Sequence, residues 1–318
     1  MVDPTTGVQP AMHRAAWLAR QFGAELDLFI CYYNEYLSGE RFLDAPSLKQ
    51  ARREVVERNR EYLEKLSEPL RSAGLTVHTT VAWDHPLYEG IVRHAMASGA
   101  SIVLKDSHHH SALQRALLTN TDWNLIRICP IPLWLVKAQD LHKKPVFIAS
   151  IDPTHEHDKP AALDDRILAL TRTLAAKTRG DMHAFHAYDP RIALASATAS
   201  AYIPTSLPYE KIESEMRELH ARRVGEVVAN YQIPADHQHL ISGAAHEELP
   251  VIARDLQADL VVMGAIARNR WKRLFVGATA ERTLEHLPCD LLIVKPEGIE
   301  SPVDATTPAP FKNGEAAA

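Results

Sequence analysis

At 318 residues, the chain is long enough for two ordinary domains. Its hydrophobic content of 46% and charged content of 24% are typical of a water-soluble globular protein. The formal net charge of −5 at pH 7 gives no reason to expect nucleic acid or an anionic membrane as a partner. No apolar run approaches the roughly 20 residues that span a bilayer, and the N-terminus lacks a basic-then-apolar signal, so we predict a cytoplasmic protein.

Helical and extended patterns alternate through the first half of the chain. Helices are indicated where apolar residues recur every three or four positions, and strands where short runs are apolar or alternate with polar residues. In order, the patterns predict a helix over 9–22, a strand over 25–32, a long charged helix over 48–72, a strand over 76–82, a helix over 86–98, a strand over 101–104, a helix through 123–127 and a strand over 132–137. This alternation predicts an α/β fold with an open parallel sheet that helices cover on both faces.

The second half of the chain repeats this order. Residues 151–154, Ile-Asp-Pro-Thr, repeat the Val-Asp-Pro-Thr of residues 2–5. A repeat spacing of about 150 residues predicts a tandem duplication in which each copy is large enough for its own core. The predicted organisation is two doubly wound parallel-sheet domains over residues 1–138 and 143–298, and a disordered tail over 299–318.

The two copies differ at their first strand. The second copy enters through residues 146–152, which form a full strand, whereas the first copy begins at Met1 and has almost no such strand. That strand is central in a doubly wound sheet, and its loss leaves neighbouring backbone groups unpaired at about 1–3 kcal/mol each. We therefore expect the natural start to lie several codons upstream of Met1. If Met1 is the start, we expect a weakened and partly open first sheet.

Residues 259–296 are the most informative stretch. The apolar run 260–263 ends in Gly264, a basic loop follows, Gly277 opens a helix, and a second apolar run covers 291–294. A glycine between a strand and a helix lets backbone N–H groups face an anion. The order therefore predicts a βαβ unit that can form a phosphate site.

This stretch resembles the C-terminal signature of the universal stress protein family. The nucleotide-binding branch of that family carries Gly-x2-Gly-x9-Gly followed by Ser or Thr, whereas this chain has Gly264, Ala267, Gly277 and Ala278, with Thr279 one place late. Two further stretches add to the resemblance, the closing DLLIVKP and TNTDWNLIRICPIPLWLVK. The resemblance covers nearly all of the chain before the tail, and it is to the tandem two-domain type of the family.

The resemblance implies five strands per copy in the order 3-2-1-4-5. It also implies that the two copies pack through their last strands as an internal pseudo-dimer, which can pair again into a homodimer. The role that the resemblance implies is survival under stress such as DNA damage or growth arrest. Ligands in such sheets bind at the carboxyl ends of the central strands, where the strand order reverses. The candidate cofactor-binding residues of the second copy are Asp152, Gly264, Ala267, Arg268, Gly277, Ala278 and Thr279.

Several of these positions allow two interpretations. Asp152 matches the acid that in the family follows strand one and reaches the nucleotide, but it can equally be an Asx-turn or helix-capping acid. Arg268 belongs to a basic loop over 268–273 that could neutralise a polyphosphate or form a solvated face. Ala267 places a methyl group where backbone must approach phosphate, so we expect nucleotide affinity to be weak or absent. ATP is the candidate cofactor, with a degenerate motif.

The first copy departs further from the family pattern. Lys105 replaces the glycine that follows the fourth strand, His108 falls at the second glycine position, and no glycine occurs from residue 100 to 179. We therefore predict that this copy binds no nucleotide. The run His108–His110 is expected to be an exposed loop and not a metal site, because adjacent residues do not share a helix face.

The sequence carries no catalytic motif. It has no Gly-x-Ser-x-Gly elbow, His-Glu-x-x-His pair or Gly-x4-Gly-Lys-Ser/Thr loop. Three cysteines, Cys31, Cys129 and Cys289, lack disulfide or zinc spacing and are expected to be buried and inert. We therefore predict a protein without enzymatic activity whose second copy binds a small ligand. Two alternatives stay open: a nucleotide-binding switch with weak ATP hydrolysis, and a pocket for an apolar or lipid-like ligand beside the alanine- and tyrosine-rich residues 188–209.

Overall fold

The computed structural model describes residues 1–38, 45–107, 119–154, 162–190, 209–265 and 286–305. The chain forms two compact units. Unit 1 contains residues 1–139 together with 300–318, of which 300–305 are described, and unit 2 contains residues 140–299. Among the helices of the described ranges, none has both the length and the apolarity needed to cross a membrane.

Unit 1 alternates helices and strands, as its sequence pattern predicts. Its elements are α1 (Pro10–Phe22), β1 (Leu26–Tyr32), α2 (Ala45–Ser72), β2 (Val77–Trp83), α3 (Leu87–Ala97), β3 (Val103–Asp106), α4 (Asn120–Ile128) and β4 (Leu133–Val136). Helix α1 begins with Pro10, because the first turn of a helix needs no N–H donor from that position. It ends at Gly23, whose φ of 63° is the left-handed conformation that closes a helix.

The strands of unit 1 form two parallel pairs, β1 with β2 and β3 with β4. No strand of the described part of unit 1 corresponds to the central first strand. Only its last residues are represented, because the Val2 amide donates to the carbonyl oxygen of Phe29 at 2.8 Å and the Met1 ammonium donates to that of Leu104 at 2.9 Å. In the described part of unit 1, no strand therefore joins the pair β1–β2 to the pair β3–β4.

Unit 2 has the complete set of strands. Its elements are β5 (Val146–Ser150), α5 (Ala162–Thr178), β6 (Asp181–Tyr188), α6 (Tyr209–Val228), β7 (Gln238–Ser242), α7 (Ala245–Asp255), β8 (Leu260–Gly264) and β9 (Asp290–Val294). Within this unit the strands lie in the order β7-β6-β5-β8-β9, and the printed pairs are all parallel. Numbered from the first strand of the copy, this is the predicted order 3-2-1-4-5.

The central strands of unit 2 are apolar because helices cover both of their faces. Phe147 in β5, Val261 in β8 and Leu292 in β9 are fully buried. Continuous apolar runs are the pattern expected of parallel strands that contact no water on either side. This pattern explains why the fold class could be predicted from these runs.

The segment after unit 2 differs from the prediction. Residues 300–305 belong to unit 1, where Val303 is buried and the Arg93 side chain donates through Nε to the carbonyl oxygen of Asp304 at 3.3 Å. The prediction of a disordered tail from residue 299 is therefore wrong for these residues. The prediction was based on proline content and on the lack of an apolar period, and neither feature indicates that a single valine is buried. Residues 306–318 lie outside the described part of the chain.

Candidate functional site

Two of the predicted site residues meet at the carboxyl edge of the unit 2 sheet. Strand β5 pairs with β8 so that Ser150 lies opposite Met263, and Asp152 and Gly264 follow these two residues. The other five candidates, Ala267, Arg268, Gly277, Ala278 and Thr279, lie outside the described residues, as does the rest of the basic loop. Two of the seven predicted site residues are therefore described, and they follow neighbouring parallel strands.

Asp152 takes part in a local turn and remains accessible. Its amide donates to Asp164 Oδ1 at 3.1 Å, and its own Oδ1 accepts from the Thr154 hydroxyl at 3.3 Å. The Asp152 side chain is 40% exposed. In unit 1, the matching Asp3 accepts from both the amide and the hydroxyl of Thr5, at 2.8 and 2.6 Å. The turn interpretation therefore has direct support in both copies, while exposure keeps the Asp152 carboxylate available to a ligand.

Gly264 has a packing role that the sequence argument did not foresee. A Cβ atom at this position would lie 2.6 Å from Cδ2 of Leu163 and 3.3 Å from Cδ1 of Ile167, and both of these α5 side chains are fully buried. Real Cβ atoms essentially never approach another atom so closely. The glycine is therefore required by the close approach of α5 to β8, whether or not a ligand also approaches its backbone.

A pair of histidines, of which His186 is buried, lies beside Asp152. His186, near the end of β6, is 2% exposed, and its Nδ1 lies 3.1 Å from the carbonyl oxygen of Ile151. Because a carbonyl only accepts, we assign the proton to His186 Nδ1, so that Nε2 accepts from His220 Nδ1 at 2.7 Å. The Asp152 carboxylate lies 3.9 Å from His186 Nδ1. Sequence analysis missed the pair because its two members lie 34 residues apart on a strand and a helix.

A second histidine group lies on the opposite face of β6. His183 Nδ1 lies 3.0 Å from His239 Nε2, and the His183 ring stacks on that of His237 with centroids 4.0 Å apart. Desolvation by burial, followed by the two neighbouring imidazoles, lowers the pKa of His183 to about 4. Burial also lowers the pKa of His239. In the described part of the chain, no three His, Cys, Asp or Glu side chains are arranged to hold a metal ion, and the predicted exposed loop His108–His110 lies outside that part.

The corresponding edge of unit 1 is occupied by a buried ion pair. Lys105 is 7% exposed, its Nζ lies 2.8 Å from Oδ1 of Asp122 on α4, and it donates to the carbonyl oxygen of Asp106 at 3.0 Å. Asp122 itself is fully buried. Its Oδ2 accepts from the amide of Thr119 at 2.7 Å, and the Thr119 hydroxyl accepts from the Asp122 amide at 3.2 Å, which completes a capping box.

A cavity of about 350 Å³ opens at this edge of unit 1. Its lining includes Tyr32 and Tyr33 at the end of β1, Leu87 and Ile91 of α3, Lys105 at the end of β3, and Thr119 and Thr121 at the start of α4. Cys31 also lines it, and burial and the nearby Asp84 raise the pKa of its thiol to about 12. Cys31, Cys129 and Cys289 are all buried, as predicted.

Comparison with known proteins assigns the chain. The model of the Universal stress protein family matches residues 1–137 and 158–295. The chain belongs to the universal stress protein family. This universal stress protein is 27% identical over 305 residues to Universal stress protein E of Escherichia coli strain K12, covering 96% of this chain and 95% of the relative. It is 25% identical over 307 residues to Universal stress protein E of Photorhabdus laumondii, covering 96% of each.

Solved structures of the same fold extend over both units. A functionally unknown protein from Pseudomonas aeruginosa PAO1 has a TM-score of 0.69 and 24% identity, over 93% of this chain and 90% of that chain. A universal stress protein from Archaeoglobus fulgidus DSM 4304 has a TM-score of 0.63 and 16% identity, over 92% and 96%. The family resemblance and the fold class predicted from the sequence are therefore confirmed.

Proposed function

We propose that this universal stress protein acts in the cytoplasm in stress resistance and survival, without turning over a substrate, and that a degenerate nucleotide-type pocket in unit 2 binds a small ligand. The stress-response role follows from its family and from its likeness to Universal stress protein E. The observation that carries the ligand-binding part is the meeting of Asp152 and Gly264 at the carboxyl edge of the complete unit 2 sheet.

Weak nucleotide binding is expected from the two departures in the glycine motif. Ala267 and Ala278 stand where the family pattern has a glycine and a hydroxyl residue. A methyl group narrows the approach to a phosphate, and the loss of a hydroxyl removes one hydrogen bond of about 0.5–1.5 kcal/mol. The pocket is therefore expected to hold its ligand through the remaining groups, among which the exposed carboxylate of Asp152 is the best described.

The proposed lack of turnover is supported by how the titratable groups near Asp152 are held. In the described part of the chain, the His186 imidazole lies 3.9 Å from the Asp152 carboxylate and is buried between the Ile151 carbonyl and the His220 ring. A general base must reach the proton that it removes. A histidine held in this way positions the end of β6 and is poorly placed to meet a substrate.

The test is native mass spectrometry of gently purified protein, followed by denaturation and identification of the released molecule. We expect one small ligand per chain and no phosphate release from added magnesium-ATP. Asp152→Asn should weaken ligand retention about tenfold, because one charge-assisted hydrogen bond is lost. Asp3→Asn, the matched change in unit 1, should leave the retention unchanged.

The other outcomes separate the alternatives. Bound ATP with slow hydrolysis, lost when Gly277 is replaced by tryptophan, would favour the nucleotide switch, and the retained Gly264 and Gly277 are the observation behind it. A released lipid would favour the apolar pocket, whose residues 191–208 lie outside the described part of the chain. A protein that carries nothing and ignores added ATP would contradict ligand binding by unit 2.

A further inference from the structure

We propose that residues 300–305 act as a strap, which docks on α3 of unit 1 and thereby holds the α3 wall of the unit 1 cavity in place. The strap belongs to unit 1 although it follows unit 2 in the sequence. Its release should open the cavity wall while the rest of unit 1 stays folded. The proposal is independent of the ligand proposed for unit 2, because every residue that carries it lies in unit 1.

The strap is anchored by one apolar side chain and one hydrogen bond to α3. Val303 is 8% exposed, whereas its neighbours Pro302 and Asp304 are exposed. The Arg93 side chain donates through Nε to the carbonyl oxygen of Asp304 at 3.3 Å. An anchor of this size can be released by a local opening, which costs less free energy than unfolding of the whole unit.

Arg93 joins the strap to the end of β2. Its Nη1 forms an ion pair with Asp84, and its Nη2 lies 3.8 Å from Oε2 of Glu89. The side chains of Arg93 and Asp84 are 13% and 6% exposed. Because the guanidinium group is planar and rigid, its bond to the strap carbonyl fixes the direction in which it meets the Asp84 carboxylate. The strap therefore acts on Asp84 through a single rigid group.

Asp84 holds three residues that line the cavity. Its Oδ1 accepts from the amide of His85 at 2.8 Å, and the His85 ring stacks on that of Tyr33 with centroids 4.2 Å apart. The Asp84 amide donates to the carbonyl oxygen of Tyr32 at 3.1 Å, and the Asp84 carbonyl oxygen lies 3.9 Å from Sγ of Cys31. Tyr32, Tyr33 and Cys31 all belong to the lining. Two residues, an arginine and an aspartate, thus connect the strap to the cavity.

Helix α3 itself packs tightly on the same group. A Cβ atom at Gly90 would lie 2.6 Å from Sγ of Cys31 and 2.8 Å from Cβ of Asp84. Leu87 and Ile91 of this helix line the cavity. Because a close-packed interior leaves no room for one element to move alone, a shift of α3 must also shift its neighbours at the cavity. Loss of the strap should therefore loosen this wall as a unit.

The test measures the alkylation of three cysteines by iodoacetamide in the full chain, followed by mass spectrometry of the peptides. Cys31 lines the cavity, Cys129 lies elsewhere in unit 1 and Cys289 lies in unit 2, and all three are buried. Burial raises the pKa of the Cys31 thiol to about 12, so at about pH 8.5 the reactive thiolate forms mainly in molecules whose cavity wall has opened to water. The alkylation rate of Cys31 therefore reports this opening.

The variant Val303→Asp removes the apolar anchor of the strap. It should raise the alkylation rate of Cys31 at least about tenfold and leave the rates of Cys129 and Cys289 within about twofold of the parent. Val8→Asp, the same change at a residue of unit 1 that is 70% exposed, should leave all three rates unchanged. An unchanged Cys31 rate in Val303→Asp would overturn the proposal. Equal acceleration of Cys31 and Cys129 would also overturn it, because unit 1 would then have opened as a whole.

A double-mutant cycle tests Arg93 as the link between the strap and the cavity. Arg93→Ala should itself accelerate the alkylation of Cys31, and Val303→Asp should then add less than about threefold, because the strap no longer acts on Asp84. Effects that multiply in full would overturn the assignment of Arg93 as the link. The comparison of the three cysteines in Val303→Asp decides the proposal even if Arg93→Ala does not fold.

Discussion

Lys105, within β3 of unit 1, and Gly264, the last residue of β8 in unit 2, occupy matching positions of the repeat, and their surroundings differ. Gly264 lets the Leu163 side chain of α5 pack directly on the end of β8, where Gly264 is paired with Val294 of β9. Lys105 instead sends a long side chain to the buried Asp122. The comparison shows that, at matching positions of a duplicated fold, a glycine admits close helix packing where a lysine forms a buried ion pair.

The largest expected effect tests the ion pair of unit 1. Lys105→Met leaves the Asp122 carboxylate buried without its cation, and we expect a loss of about 3–5 kcal/mol in the free energy of unfolding of unit 1. Hydrogen exchange of unit 1 peptides should report this loss, with unit 2 peptides as an internal control. Adding Asp122→Asn should recover most of it, because no buried charge then remains. If Lys105→Met is as stable as the parent protein, the ion pair between Lys105 and Asp122 contributes nothing to the stability of unit 1.

The second prediction concerns Gly264 of unit 2. Gly264→Ala places a Cβ atom against Leu163 and Ile167, and we expect a loss of roughly 2–3 kcal/mol in the stability of unit 2. Gly225→Ala is the control, since a Cβ atom there meets nothing within 4 Å and a helix interior gains about 0.5–1 kcal/mol from alanine. Urea unfolding of both variants measures the difference, and equal midpoints would contradict the packing role of Gly264.

The third prediction concerns pH and unit 2. The folded-state pKa of His183 is about 4, whereas the unfolded value is about 6.5, so the unfolded state binds more protons between these values. Stability of unit 2 should therefore be complete above about pH 6.5 and fall as the pH drops towards 4, by roughly 1–2 kcal/mol at pH 5. The pKa of His183 also depends on its charged neighbours. The imidazoles of His237 and His239 lower it, and the carboxylates of Asp181 and Asp236 raise it.

The measurement for this pH effect is the difference in urea midpoint between the parent and His183→Gln. Taking the difference at pH 7.5 and again at pH 5.0 cancels most contributions of groups that both proteins share. The variant should lose less stability than the parent on acidification. If both proteins lose the same amount, the histidine group does not control the acid sensitivity of unit 2.

The smallest predicted effect concerns the capping box of unit 1. Thr119→Ala removes the hydroxyl that accepts from the Asp122 amide, and we expect a loss of about 1 kcal/mol. Thr119→Ser keeps the hydroxyl and should lose only a few tenths of a kcal/mol in stability. Hydrogen exchange in α4 peptides distinguishes the two variants, and equal protection would show that the cap is not needed.

Local patterns were sufficient for the fold. The apolar runs at 260–263 and 291–294 became β8 and β9 of unit 2, because a strand buried on both faces must be apolar throughout. Asp152 and Gly264 met at one edge because the carboxyl ends of neighbouring parallel strands always do.

The contacts that decide the chemistry were not visible in those patterns. His186 and His220 meet through a strand-to-helix packing that no local period encodes, and Lys105 and Asp122 pair through the register of α4 on the sheet. Gly264 was assigned to ligand approach, although its tightest neighbour is a leucine of α5. Such pairs depend on distances between elements, which a single sequence does not state.

The contact between Arg93 and the segment after unit 2 has a consequence for biosynthesis. Unit 1 is discontinuous in the sequence, since residues 1–139 are completed by residues from 300 onwards. The ribosome therefore delivers Val303 and Asp304, which contact unit 1, only after all of unit 2 has been made. Unit 1 can acquire most of its structure early in translation, but the α3 side chain of Arg93 gains its last backbone partner after both sheets have been synthesised.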